Sequence, residues 1–377
     1  MPIQQALQAL QALQALQSQQ ALQALQALQS PTSGVTSTSS ASPTGLLISR
    51  DGIVGPWEGV QNPPDPRAFN DPRNLASWGD SSVHAVLKNE VLSRIIYESD
   101  GDETVLVRAL SIPGSSADAG VSAETIARLS APRQEDFVTQ TRLVYNYADL
   151  RGDRMTEIAD QVAGVTGYFA TLLPYEPARM PVTAHLLALA QACAAQVAQQ
   201  CKHALACRRP NAYSNQIQPI IPTPSHSALP SGHATEAFAL AQVLAHLVPV
   251  SAQTENLATR LMLAAARIAV NRTVAGVHFP ADSFAGAALG FAVADLIAAR
   301  AGQPDGITMS NFAGAGIGQS DFYLSRIWQS SEGDSPRQNF VTDEGAEILT
   351  FTPVSARPDT SDILRQAWAD ARAEWER

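Results

Sequence analysis

At 377 residues, with 45% hydrophobic and 16% charged side chains, the chain can bury one large core or two ordinary ones. A net charge of -10 and a pI near 5.2 exclude nucleic acid as a partner, because a phosphate backbone needs a basic face. Cys193, Cys201 and Cys207, with no C-x-x-C pair, argue against a disulfide scaffold or a zinc site and read as small buried hydrophobes.

Residues 6–29 repeat Ala-Leu-Gln. A period of three drifts around a 3.6-residue helix, so no apolar stripe forms and the segment reads as a low-complexity tail. The alternative is an oligomerising helix, which would make the protein a homo-oligomer. Residues 30–46 are rich in Ser, Thr, Pro and Gly and read as a linker, leaving 47–377 as one catalytic domain. Residues 47–80, with Trp57 and Trp78, predict an irregular segment packed on the core surface.

Helical patterns follow over 82–98, 121–130, 134–148, 153–173, 182–206, 233–248, 252–271, 281–300 and 360–376. Pro181 and Pro280 sit where helices begin. Strand character is confined to Glu103–Leu110 and a short hairpin near 338–352, so the expected class is all-α, a helical bundle. The most apolar stretch, Ala281–Ala299, carries Asp282 and Asp295, and Leu257–Val270 is interrupted by Arg260 and Arg267. No transmembrane span and no secretory signal are expected, which makes a soluble, cytoplasmic protein the default.

Three segments carry chemistry. In Lys202–Pro210, Lys202 and Arg209 are seven apart, two helical turns, and Pro210 stops the helix. Two cations on one face make an anion clamp, or else an ordinary basic helix end. In Pro230-Ser231-Gly232-His233, Ser231 and Gly232 place amides and a hydroxyl at a helix N-terminus, a prepared anion site, with His233 at its mouth. The plainer reading is a serine cap beside a surface histidine. In Arg272-x5-His278-x3-Asp282, a carboxylate one turn away fixes the tautomer of His278 and frees its other nitrogen, or merely caps the next helix.

Together these segments resemble the signature of the superfamily joining type 2 phosphatidic acid phosphatases, bacterial nonspecific acid phosphatases and vanadium-dependent haloperoxidases. The resemblance covers 182–300 and departs at Asn271, where that signature has Ser. It implies the helical bundle of that superfamily. Lys202, Arg209 and Arg272, with the amides of Ser231 and Gly232, would hold a phosphate or vanadate. His278 would attack phosphorus or ligate vanadium, His233 would serve as acid and base, and Asp282 would orient His278.

Two chemistries fit. A haloperoxidase would keep vanadate as a cofactor on His278 and use halide and hydrogen peroxide. A phosphatase would need no cofactor and would take a phosphate ester through a phospho-histidine. The expected absence of a membrane span, the helical region before the motifs and His226, seven residues before His233, favour the haloperoxidase. A non-catalytic anion-binding scaffold is the third reading, and the acid/base set His233, His278 and Asp282 argues against it.

Overall fold

The computed structural model describes residues 67–376 apart from 102, 113–119, 250–255, 330–335 and 356, with a few positions between 53 and 65. The Ala-Leu-Gln tail and the linker of 1–46 lie outside the described residues. The chain divides into two units, Met1–Phe69 with Ala76–Ser82, and Asn70–Leu75 with Val83–Arg377. In the first, Trp57 and Trp78 are both exposed. The second unit holds the three segments.

The class is mixed α/β, not all-α. Six strands form one sheet in the order β1 (Ile95–Ser99), β2 (Thr104–Ser111), β3 (Ser122–Ser130), β4 (Ile307–Ala313), β6 (Glu347–Val354), β5 (Phe340–Val341). The β3–β4 pair is parallel and the others are antiparallel. The helices among the described residues are α1 (Asp80–Leu92), α2 (Gln134–Asn146), α3 (Arg151–Ala163), α4 (Thr166–Ala170), α5 (Pro181–Leu205), α6 (Gly232–Leu247), α7 (Leu257–Val274), α8 (Pro280–Arg300) and α9 (Asp362–Glu374).

The predicted helix over 121–130 is strand β3. Its Ala, Glu, Arg and Leu are helix formers, and Ile126, Ala127 and Leu129 point inward without strict alternation. The register supplies the reason. Val107 pairs with Ala127 and Arg108 with Thr125, so Ile126 is the extra residue of a β-bulge. A bulge puts two consecutive side chains on the buried side and erases the period-two signal. Pairing with β2 and β4 then overrides local propensity.

Helix α8 is the centre of the fold. Every residue from Pro280 to Arg300 is buried, as expected of a helix that is apolar all round. It packs against α6 and α5, and against β4 and β3 of the sheet. Gly286 and Gly290, one turn apart, bring it against the backbone of α6. A Cβ at Gly286 would lie 2.6 Å from Ala234 Cβ and 2.8 Å from the Ser231 carbonyl; one at Gly290 would lie 2.6 Å from the Thr235 carbonyl. The three cysteines are buried in the core, and burial pushes their thiols up to about 12.

Polar ties hold the helices that carry the chemistry. The Glu374 carboxylate of α9 accepts from the Val182 and Thr183 amides at 2.9 and 2.8 Å, capping the first turn of α5. Gln140 of α2 accepts from the Ala281 amide at 3.0 Å and donates to the Gly318 and Ser320 carbonyls, locking the start of α8 to the loop after β4. Asp295 of α8 takes a two-pronged ion pair from Arg337 at 2.6 and 2.8 Å.

Two segments, Pro181–Ala212 and Pro280–Arg300, are long and apolar enough to cross a membrane by length and composition. This overturns the expectation that no transmembrane span exists, and the soluble cytoplasmic assignment that rested on it falls too. Within the protein the apolar window of the second segment is wholly buried, and that of the first is half buried.

Candidate active site

Helix α5 ends at Leu205, where Ala206 turns left-handed (φ 49°) and donates its amide to the Lys202 carbonyl. Lys202 and Arg209 therefore do not share a helix face. Arg209 stands in extended chain (φ −79°, ψ 158°), the conformation favoured before a proline. The reversal at Ala206, rather than helical periodicity, returns Arg209 to the buried end of α5. Lys202 Nζ donates to the Ser227 and Ala228 carbonyls at 2.9 and 2.8 Å. Arg209 donates from Nη1 to the Val277 carbonyl at 2.8 Å and to His278 Nε2 at 3.1 Å. It also donates from Nε to the His226 carbonyl at 3.1 Å.

Ser231 caps α6 in extended conformation, its hydroxyl accepting from the Ala234 amide at 3.4 Å. Gly232 opens the helix, so the first-turn amides of Gly232 and His233 have no carbonyl within the helix to bond. The Ser231 amide, expected to face an anion, instead donates to the Asp282 carbonyl at 2.9 Å, which fixes this N-terminus to α8 and leaves the Gly232 and His233 amides for the anion.

His278 lies in the turn between α7 and α8. Gly276 makes the turn at φ +81°, a conformation that L side chains rarely adopt. His278 Nδ1 is 2.8 Å from Asp282 Oδ2, which also accepts from the Phe279 amide at 3.0 Å. An ionised carboxylate only accepts, so Nδ1 carries the hydrogen and Nε2 keeps a lone pair, turned toward Arg209. His226 sits at the rim, with Nδ1 3.2 Å from Arg209 Nη2. All the residues singled out in the three segments thus converge, together with His226.

The sequence reading missed Gln161. This buried side chain on α3 accepts from Arg272 Nη2 at 2.7 Å and from Asn271 Nδ2 at 3.1 Å, while the main-chain carbonyl of Gln161 lies 3.0 Å from His233 Nε2. A carbonyl can only accept, so His233 carries its hydrogen on Nε2 and presents Nδ1 as the basic atom. Nothing in the spacing of an amphipathic helix marks such a glutamine. Asn271 now has a reason as well. It donates to Gln161 and accepts from Arg154 Nη1 at 3.1 Å, two bonds in opposite senses that its amide supplies at once. Gln161→Leu should lower stability by about 1–3 kcal/mol by stranding these buried donors. It should also weaken inorganic phosphate binding about tenfold by loosening Arg272, checked by thermal unfolding and calorimetric titration.

The electrostatics favour an anion. Lys202 is pushed down to about 7 and Arg272 to about 10, each chiefly by burial. Arg272 Nε and Nη1 are buried with no hydrogen-bond partner among the described residues. Burial, then the neighbouring cations, hold His278 well below its usual range and bring His233 down to about 4. Burial raises Asp282 to about 6 against the pull of Lys202 and Arg209.

The two depressed histidines imply a pH dependence of stability. Below 6.5 the unfolded chain takes up protons that the folded chain refuses, so stability falls from 6.5 down to about 4 as far as His233 is concerned. The melting temperature should drop over that window, and His233→Gln should flatten the drop. An unchanged slope in the variant would assign the effect elsewhere.

Residues 182–302 match the family model of the PAP2 superfamily. No curated protein matches the chain. Among solved structures, the crystal structure of the first transmembrane PAP2 type phosphatidylglycerolphosphate phosphatase from Bacillus subtilis is 18% identical, with a TM-score of 0.27, covering 43% of this chain and 93% of that one.

Proposed function

We propose, from the PAP2 superfamily match over 182–302, that the chain is a phosphatase that hydrolyses a phosphate ester through a phosphorylated His278. The observation that carries this is the His278–Asp282 pair at 2.8 Å, which leaves Nε2 with an unprotonated lone pair among three buried cations. Lys202, Arg209 and Arg272 hold the phosphoryl oxygens, helped by the first-turn amides of α6. Arrival of the phosphate releases Nε2 from Arg209. Nε2 then forms a bond to phosphorus as the ester P–O bond breaks. The departing oxygen takes a proton from His233, whose affinity for that proton rises when a dianion offsets the cations around it. In the second half, His233 removes a proton from water as the water oxygen attacks phosphorus. The N–P bond breaks, and inorganic phosphate and free His278 result.

The test is hydrolysis of an aryl phosphate, with capture of an acid-labile phospho-histidine at His278. Turnover without any phosphorylated enzyme would overturn the covalent route, and no hydrolysis of any phosphate ester would overturn the reading.

One observation favours the haloperoxidase as a second reading, the contact of His226 with Arg209 at the rim. The unpartnered Nε and Nη1 of Arg272 fit orthovanadate as well as phosphate. Lys202, Arg209, Arg272 and His278 would hold it, and the bound vanadate would supply peroxide activation. Bromination with peroxide that appears only after loading with vanadate would favour this reading over hydrolysis.

A further inference from the structure

Glu236 stands one turn beyond Gly232 on α6 and plays no part in the mechanism above. A Cβ on Gly232 would have two nearest neighbours, Glu236 Oε1 and Lys202 Cε, each at 3.9 Å. The carboxyl group thus lies on the same side of Gly232 as the lysine. Its other oxygen, Oε2, accepts from Gln191 Nε2 at 2.9 Å. Gln191 is oriented in turn by Thr166, whose hydroxyl donates to Gln191 Oε1 at 3.1 Å. This relay fixes the amide nitrogen toward Glu236 and makes Oε2 an acceptor. A proton on the carboxyl group must therefore sit on Oε1, the oxygen beside Gly232.

An ionised carboxylate there would repel a phosphate, whereas a carboxylic acid would donate to it. Burial favours the acid and raises the proton affinity of Glu236, while Gln191 and Lys202 pull the other way. Lys202 from α5 is the charged group facing it, with Gln191 of α5 and Thr166 of α4 as the polar ones.

We propose that Glu236 acts as a neutral carboxylic acid, donating its Oε1 hydrogen to an oxygen of the bound phosphate, and that its ionisation sets the alkaline limit of phosphate binding. This rests on the phosphatase reading for its consequence in turnover, but phosphate binding tests it without turnover. Inorganic phosphate affinity would be titrated across pH for the full chain, Glu236→Gln and Glu236→Ala, with aryl phosphate kcat/KM alongside.

Glu236→Gln keeps a donor that never ionises. It should bind within about threefold of the parent at acid pH and hold that affinity to higher pH. Glu236→Ala, which lacks the donor, should bind about tenfold more weakly at acid pH. If Glu236 serves only as counter-charge to Lys202, Glu236→Gln moves the alkaline limit to lower pH, and the proposal fails. An unmoved limit, or a Gln variant as weak as the Ala variant, also overturns it. Phosphate binding that follows the expected pattern without hydrolysis in the parent would instead sink the phosphatase reading and leave Glu236 as a binding residue.

Discussion

Replacing His278 with Asn should lower kcat for an aryl phosphate by about four orders of magnitude while leaving inorganic phosphate affinity within about tenfold. The reason lies in what the change removes and keeps. Asn has an amide N–H that can still bond the Asp282 carboxylate, now held by His278 Nδ1 at 2.8 Å, but it has no basic nitrogen to attack phosphorus. The three cations and the α6 amides are untouched, so the anion should still bind. Alanine is the poorer choice, because it would leave the wholly buried Asp282 without its side-chain partner. Appreciable turnover by the Asn variant, at unchanged protein purity, would remove His278 from the role of nucleophile.

The second large effect is expected at a residue that carries no side chain, one turn beyond Asp282 on α8. Gly286→Ala would place a methyl group 2.6 Å from Ala234 Cβ and 2.8 Å from the Ser231 carbonyl. Neither is the free end of a flexible side chain, so α6 and α8 must separate. That carbonyl also accepts from the Thr235 amide and hydroxyl, both at 2.9 Å, and the Ser231 amide donates to Asp282. The shift therefore moves the anion-binding amides relative to His278. The cost should be about 1–3 kcal/mol of stability. A misplacement of this kind should also lower kcat/KM by about ten- to a hundredfold. Gly232→Ala is the control, since its methyl group would meet nothing closer than 3.9 Å. It should fold with near-parental stability and lose phosphate affinity only. Equal melting temperatures for the Gly286 variant and the parent would show that the helix contact is softer than its geometry.

The candidate site was far more legible in the sequence than the fold around it. Lys202, Arg209, Ser231, Gly232, His233, Arg272, His278 and Asp282 stand in short segments whose chemistry is local, and the structure brings them together. What spacing misjudged was how they meet, as with Arg209, which arrives through a left-handed turn instead of a second turn of helix. Gln161, Gln191 and Glu236 carried no signal, because a polar residue on an amphipathic helix looks alike whether it faces solvent or a buried guanidinium. The sheet was hidden for another reason. The bulge at Ile126 masks the alternation of β3, and strand β4 is recognisable only by its partners, β3 and β6, both distant in sequence.

That parallel pairing of β3 with β4 has a consequence for how the protein is made. The strands lie side by side, yet all three chemical segments are strung between them along the chain. Pairing so distant in sequence is slow to form. A nascent chain will have α8 complete, with the side that meets β4 still uncovered, before β4, β6 and the capping Glu374 have been synthesised. Folding must then end with the carboxyl-terminal fifth closing over helices that already hold the reactive groups. A chain stopped short of Ile307 would possess all of its chemistry and lack its cover, and chaperones would meet it as an aggregation hazard.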